Sequence, residues 1–291
     1  KSSINEMNSE TNNLEKIGAI VKELILPILA FVSLVIFFSN IQHINYDFDE
    51  KSSLILRYFA KIIGTILFPL LLIHLLHKNK SDFGIYFPKF STSFKLSLRA
   101  YSIGGPAGVT FMIISFLGWG LKDWSSAITL GIVYLAVFYF VPQITNKVRA
   151  RNGIETPNHS IIAFVAMSFI TLGITFYTYD SVPIISKIFY YIFIVGFGEE
   201  LFFRGYLQSS FNRFFGKSFS IGNVSFGYGL FLSSLLFGLT HALVTTPPTW
   251  SWALFTSIMG LTLGFIREKD GSILAAVLLH AMLDMPLAFI R

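Results

Sequence analysis

The sequence predicts an all-α polytopic membrane protein, a bundle of about eight to nine transmembrane helices, and three observations carry that prediction. Of the 291 residues 53% are hydrophobic, 32 are Phe and only 13% are charged, with a mean hydropathy of +0.64; soluble domains carry about 25% charged residues. The apolar residues fall into runs of about 20, the length an α-helix needs to cross a hydrocarbon core of about 30 Å. Lys and Arg collect in the polar segments after alternate runs, the pattern of loops retained on the cytoplasmic side.

The charge balance has the same origin. A formal charge of +6 and a pI near 9.4 would suggest nucleic acid in a soluble chain, but here the cations flank apolar spans and report topology. No nucleic-acid partner is expected. The sequence contains no Cys, which excludes thiol catalysis, Cys-based metal sites and disulfides.

Residues 1 to 16 are polar and read as a cytoplasmic lead-in. The first span is expected from Ile17 to Ile41, with Pro27 inside it, and an acidic outer loop follows at Asp47, Asp49 and Glu50. A second span from Leu54 to Leu76 precedes a basic segment from His77 to Arg99. The third is placed from Ala100 to Leu121, closed by Trp119, Lys122 and Trp124, with Trp at the depth of the headgroups. The fourth runs from Ala127 to Ile144 and leads to Lys147, Arg149 and Arg151; the fifth runs from Ser160 to Thr178 and ends at Asp180. The sixth begins near Pro183 and keeps a helical pattern to Phe211, longer than one crossing needs, with Gly196 and Gly198 as candidate kinks. A Gly-containing linker then joins it to a seventh span from Tyr228 to Val244. The eighth, Trp250 to Ile266, ends in Arg267, Glu268 and Lys269, and the ninth covers Ser272 to Ile290. Nine crossings put every basic loop on one side, with the N-terminus in and the C-terminus out. Residues 1–180, about five helices, form one part; residues 181–291 hold the chemistry.

Intramembrane charge is expensive and marks function by default. Away from the span ends the polar groups that stand out are Glu199, Glu200, Arg204, His241, His280 and Asp284, all in the last hundred residues, with His74 as an outlier near a boundary. Glu200 and Arg204 stand one helical turn apart with the acid first, the favourable order for a pair. Glu199 projects about 100° away and lacks that partner. Phe237 lies one turn before His241, and Asp284 one turn after His280. For any one of these residues, an interhelical hydrogen bond or a structural ion pair is the default. Six of them on three helices outweigh that default.

A Glu and a His facing one pocket can hold and deprotonate a water, while further donors stabilise the oxyanion of an attacked amide. The chemistry is then peptide-bond hydrolysis within the membrane. A second version makes Glu199, His241, His280 and Asp284 ligands of a divalent metal such as zinc, which lowers the pKa of bound water. Ser234, seven residues before His241, offers a weaker serine variant. On these boundaries His280 falls near mid-span and His241 nearer the outer end.

The order Glu-Glu-x-x-x-Arg at 199–204, Phe-x-x-x-His at 237–241 and His-x-x-x-Asp at 280–284 resembles the intramembrane protease family of type II CAAX prenyl endopeptidases and bacteriocin-processing or self-immunity proteins, CPBP or Abi. The resemblance covers roughly residues 185 to 290. It implies Glu199 as catalytic glutamate with His241 as partner in activating water, Glu200 and Arg204 as the supporting pair, and His280 with residue 284 as oxyanion stabiliser. Many members carry Asn at the last position; an ionised Asp284 only accepts, so its expected part is to orient His280 or to ligate a metal. The implied partners are a peptide or lipid-modified protein substrate and the bilayer itself, in the plasma membrane of a prokaryote. The competing function is a non-catalytic scaffold or bacteriocin self-immunity protein that binds a peptide in the same cavity. A transporter ranks third, because the polar groups concentrate in one part of the chain without inverted repeats.

Overall fold

The computed structural model describes residues 13–44, 50–76, 79–86, 88–120, 122–145, 159–177 and 184–285. Among these, nine helical rods follow one another: α1 (residues 13–44), α2 (residues 50–76), α3 (Phe90–Phe116), α4 (Trp124–Thr145), α5 (His159–Tyr177), α6 (residues 184–215), α7 (Tyr228–Leu243), α8 (Trp250–Asp270) and α9 (Leu274–Asp284). Three runs are long and apolar enough to cross a membrane by length and composition: Asn13–Ile41, Lys51–Leu76 and Trp124–Thr145. Their outward faces carry exposed Ile28, Leu29 and Ile36 on α1, Ile63 and Leu71 on α2, and Ile128, Ile132 and Leu135 on α4. Such a belt is stable against lipid and costly against water. The acidic loop at Asp47 and Asp49, the basic loop at Lys147, Arg149 and Arg151, Asp180 and Pro183 lie outside the described residues.

Two boundaries differ from the sequence reading. α3 starts at Phe90 rather than Ala100, because its first turns carry a polar face that is buried. Ser93 donates to Asp270 at 3.0 Å and Ser97 donates to the carbonyl of Ala275 at 2.8 Å, so the polar stretch joins the bundle. The expected linker after residue 217 contains a hairpin, β1 (Phe219–Ile221) against β2 (Val224–Phe226), in antiparallel register with Ile221 opposite Val224. Gly222, at φ 60°, supplies the left-handed turn that a two-residue loop needs. Phe219 stacks on Phe226 at 5.8 Å, and Asn223 accepts a hydrogen bond from Lys269.

α6 is the axis of the bundle, in contact with α1, α2, α5, α7, α8 and α9. It is continuous through Gly196 and Gly198 and relieves its packing by wider, π-type turns over Tyr190–Gly196 and Leu201–Leu207; such turns cluster at functional sites. At about 1.5 Å per residue it is about 48 Å long, well beyond the hydrocarbon core. Between the acids and its end, α6 carries a polar stripe at every fourth residue: Glu200, Arg204 and Gln208, all 0% exposed, then Asn212. A second four-residue series on α8 answers it. Arg204 donates to the carbonyl of Gly260, Gln208 to the carbonyl of Gly264 and to Glu268, and Asn212 to Glu268. The glycines make the approach feasible: a Cβ at Gly260 would sit 3.2 Å from the Arg204 guanidinium, and one at Gly264 would sit 2.9 Å from Gln208. Close helix contact through small residues is how membrane bundles gain packing energy where no water remains to be expelled.

Candidate active site

The two acids of α6 face different helices. Gly196 and Gly198 fix both approaches. A Cβ on Gly196 would stand 3.1 Å from the carbonyl of Val277, which draws α9 in, and a Cβ on Gly198 would collide with Thr65 of α2. With α2 this close, Lys61 reaches Glu199 and sets Nζ 2.9 Å from Oε1. Thr65 in turn donates to the carbonyl of Lys61, which ties the contact to the helix backbone. The glutamate expected to stand without a partner therefore has one, 138 residues away in sequence.

Glu200 is the hub of the sealed part. Oε1 accepts from Arg204 at 2.9 Å and from His280 Nδ1 at 2.8 Å, and neither Glu200 nor Arg204 has any exposed side chain. Two donors on one carboxylate offset the cost of burying it. The guanidinium also lies over the Phe237 ring at 4.4 Å, a contact strengthened by the absence of water. Because a carboxylate only accepts, Nδ1 of His280 carries the proton shared with Glu200. That orients Nε2 the other way, 3.5 Å from Asp284 Oδ2 and 3.9 Å from Glu199 Oε2. Asp284 thus stands beside His280 one turn on, and Glu200 is part of how His280 is held as well as partner to Arg204.

His241, in the last turn of α7, sets Nδ1 2.8 Å from the carbonyl of Phe237. A carbonyl only accepts, so this nitrogen is the donor, and in the neutral ring Nε2 is the acceptor. Phe237 joins the two histidines: its fully buried ring meets His241 edge-on at 4.7 Å and His280 at 5.8 Å. The difference in depth that the span boundaries implied is bridged by this single ring. Gly238 lies directly against Ser257 and the carbonyl of Ala253, which locks α7 on α8 and fixes the height of His241.

All the residues picked from sequence, Glu199, Glu200, Arg204, Phe237, His241, His280 and Asp284, meet within this one assembly of α6, α7 and α9. Lys61 was missed, although its position inside the apolar run of α2 was a readable signal. Tyr190 lies beneath its ammonium at 5.9 Å and stacks on Tyr58 at 4.3 Å. Ser234 donates to the carbonyl of Leu230 on its own helix, an arrangement of packing rather than attack. His74 points outward. Among the described residues no three His, Asp or Glu side chains form a group that could hold a metal ion, and Glu199 Oε1 is bound to an ammonium.

Beyond the apolar span of α8, Glu268 gathers Gln208, Asn212, Lys217 and Arg267. Burial disfavours its charge, but the cations of Arg267 and Lys217 more than offset this and hold its carboxyl below the usual range. This cluster is the foot on which the polar stripe of α6 stands.

The segment that carries this geometry has a counterpart among known sequence families. Residues 180–285 match the family described as type II CAAX prenyl endopeptidase, Rce1-like. The matched segment runs from the start of α6 to the end of α9 and contains every residue of the assembly except Lys61. The other helices, α1 to α5, fall outside the match. No curated protein and no solved structure matches the chain.

Proposed function

We infer that the protein is an intramembrane endopeptidase that hydrolyses a peptide bond in a membrane-associated peptide or protein tail. The convergence of His241 and His280 on one buried ring, with Glu199 3.9 Å from His280, within a segment matching a CAAX-type protease family, carries this reading. Water is held between Glu199 and Nε2 of His241. Its oxygen attacks the carbonyl carbon as its proton passes to Glu199, and the carbonyl electrons collect as an oxyanion. His280, turned by Glu200 on one nitrogen and flanked by Asp284 on the other, donates to that oxyanion. Collapse breaks the C–N bond, and the proton held by Glu199 leaves with the amine.

On the same reading the chain crosses a prokaryotic plasma membrane nine times, with the N-terminus in, the C-terminus out and the basic ends of α6 and α8 on the cytoplasmic side; the positive charge collected in alternate loops supports it. The substrate is a prenylated tail where the host prenylates proteins, and otherwise a bacteriocin leader, signalling peptide or membrane-protein fragment.

The test uses purified, detergent-solubilised protein and a peptide library read by mass spectrometry. Glu199→Gln and His241→Ala should each lower cleavage by about 10²–10⁴-fold, the usual worth of a positioned acid–base group. Unchanged cleavage in both variants would sink the assignment. Loss on chelation, restored by one metal, would favour the metal-dependent form. A peptide bound by the wild type, never cut, and released by these variants would establish the scaffold form instead.

A further inference from the structure

The ammonium of Lys61 rests on the carboxylate assigned to water, and the catalytic geometry cannot leave it there unchanged. Oε1 of Glu199 is engaged at 2.9 Å, while Oε2 lies toward His280 Nε2 at 3.9 Å. A peptide whose carbonyl sits between Glu199, His241 and His280 lies against the carboxylate that Lys61 holds. Of the charged groups in the assembly Lys61 is the most open, with 28% of its side chain exposed, against 20% for Asp284, 12% for Glu199, 3% for His280 and none for Glu200 and Arg204. Arg204 is committed to Glu200 and to the carbonyl of Gly260. Lys61 is therefore the cation of this site that can turn toward an incoming chain.

An ammonium moved off its partner in such an environment needs another anion, because an unpaired buried charge is strongly unfavourable. A lysine suits that exchange: its charge is compact, its stem is flexible, and its three donors rotate to meet a single carboxylate oxygen. Asp284, the other carboxylate whose charge reaches Lys61, faces His280 at 3.5 Å, so the replacement anion is one that the substrate brings, near the bond being cut. An extended chain advances about 3.3–3.6 Å per residue, so a carboxylate within reach of Lys61 lies within about three residues of the scissile bond.

We propose that Lys61 is a receptor for a substrate carboxylate: a peptide carrying one close to its scissile bond takes the ammonium from Glu199 and so frees the glutamate to act on water. The assignment rests on the reading of Glu199 as the group that activates water. It makes Lys61 a specificity-determining residue contributed by α2, outside the segment that matches the protease family. Substrates without a carboxylate there leave the site in its paired form.

The probe is a pool of synthetic apolar hexapeptides in three forms, with a free C-terminal carboxylate, with a C-terminal carboxamide, and with a carboxamide after a terminal Asp. With the full-length, detergent-solubilised wild type, kcat/KM for the free acids should exceed that for the amides by at least about 30-fold, the scale of a lost desolvated charge pair. Restored cleavage of the Asp amides identifies side-chain carboxylates as accepted; failure to restore it identifies the α-carboxylate as the source. Lys61→Met should abolish the preference and Lys61→Arg should keep part of it. In His241→Ala, which leaves Lys61 and Glu199 in place, the same pool should show the same preference in Kd. Equal kcat/KM and equal Kd for acids and amides, including no binding of either, overturn the proposal. A uniform loss in Lys61→Met with no acid preference in the wild type also overturns it, by making the pair structural. The parent reading fails separately, if Glu199→Gln cuts the free acids as well as the wild type does.

Discussion

Removal of the guanidinium from the sealed side of the site, Arg204→Ala, is the most severe perturbation that this arrangement predicts. Arg204 lies 2.9 Å from Glu200, and both side chains are fully buried. At an effective dielectric of about 20 the attraction at that separation is about 6 kcal/mol. Much of it offsets the desolvation of the two ions, so the net worth of the pair is small beside the cost of breaking it. Deletion of one partner leaves Glu200 as a buried carboxylate held by His280 alone, and it also removes the hydrogen bond to Gly260 and the contact with Phe237. The expected loss is about 3–5 kcal/mol, which corresponds to a fall in Tm of about 6–20 °C at about 2–4 °C per kcal/mol. Thermal unfolding of the solubilised protein, followed by tryptophan fluorescence, measures it. The double variant Glu200→Gln with Arg204→Met removes both charges and should recover more than half of the loss, because no unpaired ion remains. A single variant within about 2 °C of the wild type would refute the claim that this pair is buried and essential to the packing of α6, and so would a double variant no better than the single one.

Two further outcomes follow from other contacts. Gly198→Ala drives a methyl group into Thr65 and pushes α2 from α6; it should cost about 1–3 kcal/mol by overpacking and weaken any preference that depends on Lys61, as read by thermal unfolding and by paired acid and amide peptides. Glu268 has its folded pKa lowered, so its contribution to stability is complete above the ordinary glutamate value of about 4.3 and is lost as pH falls through the lower folded value. Glu268→Gln should therefore flatten the acid limb of Tm against pH, and an unaltered limb would show that Lys217 and Arg267 do not hold the carboxylate charged.

Much of the site is legible in the chain because its pairs are local. Glu200 with Arg204, Phe237 with His241 and His280 with Asp284 are each one turn apart, so helical geometry puts each pair on one face whatever surrounds it. The stripe of Gln208 and Asn212 continues the same period and could have been read the same way, as could the Gly260, Gly264 and Glu268 series that faces it. Lys61 lies 138 residues from the acid it meets, so no helical period links the two. The hairpin after residue 217 escaped for a different reason. Its polar, Gly-containing sequence is that of a linker, and the rings of Phe231 on α7 and Phe265 on α8, together with the contact between Lys269 and Asn223, give it a surface to form on.

The sequence by itself determined the helical class, the order and approximate length of the rods, and the pairs that lie within a single rod. Each of these depends on composition or on a period of 3.6 residues, which a chain expresses without tertiary contacts. The tertiary structure alone decided that His280 donates to Glu200 rather than standing with Asp284 alone, that one ring of Phe237 serves both histidines, and that Glu199 is held by Lys61. Those relations join separate helices. Their geometry comes from how closely the backbones approach, which Gly196, Gly198 and Gly238 permit only against the particular partners α9, α2 and α8.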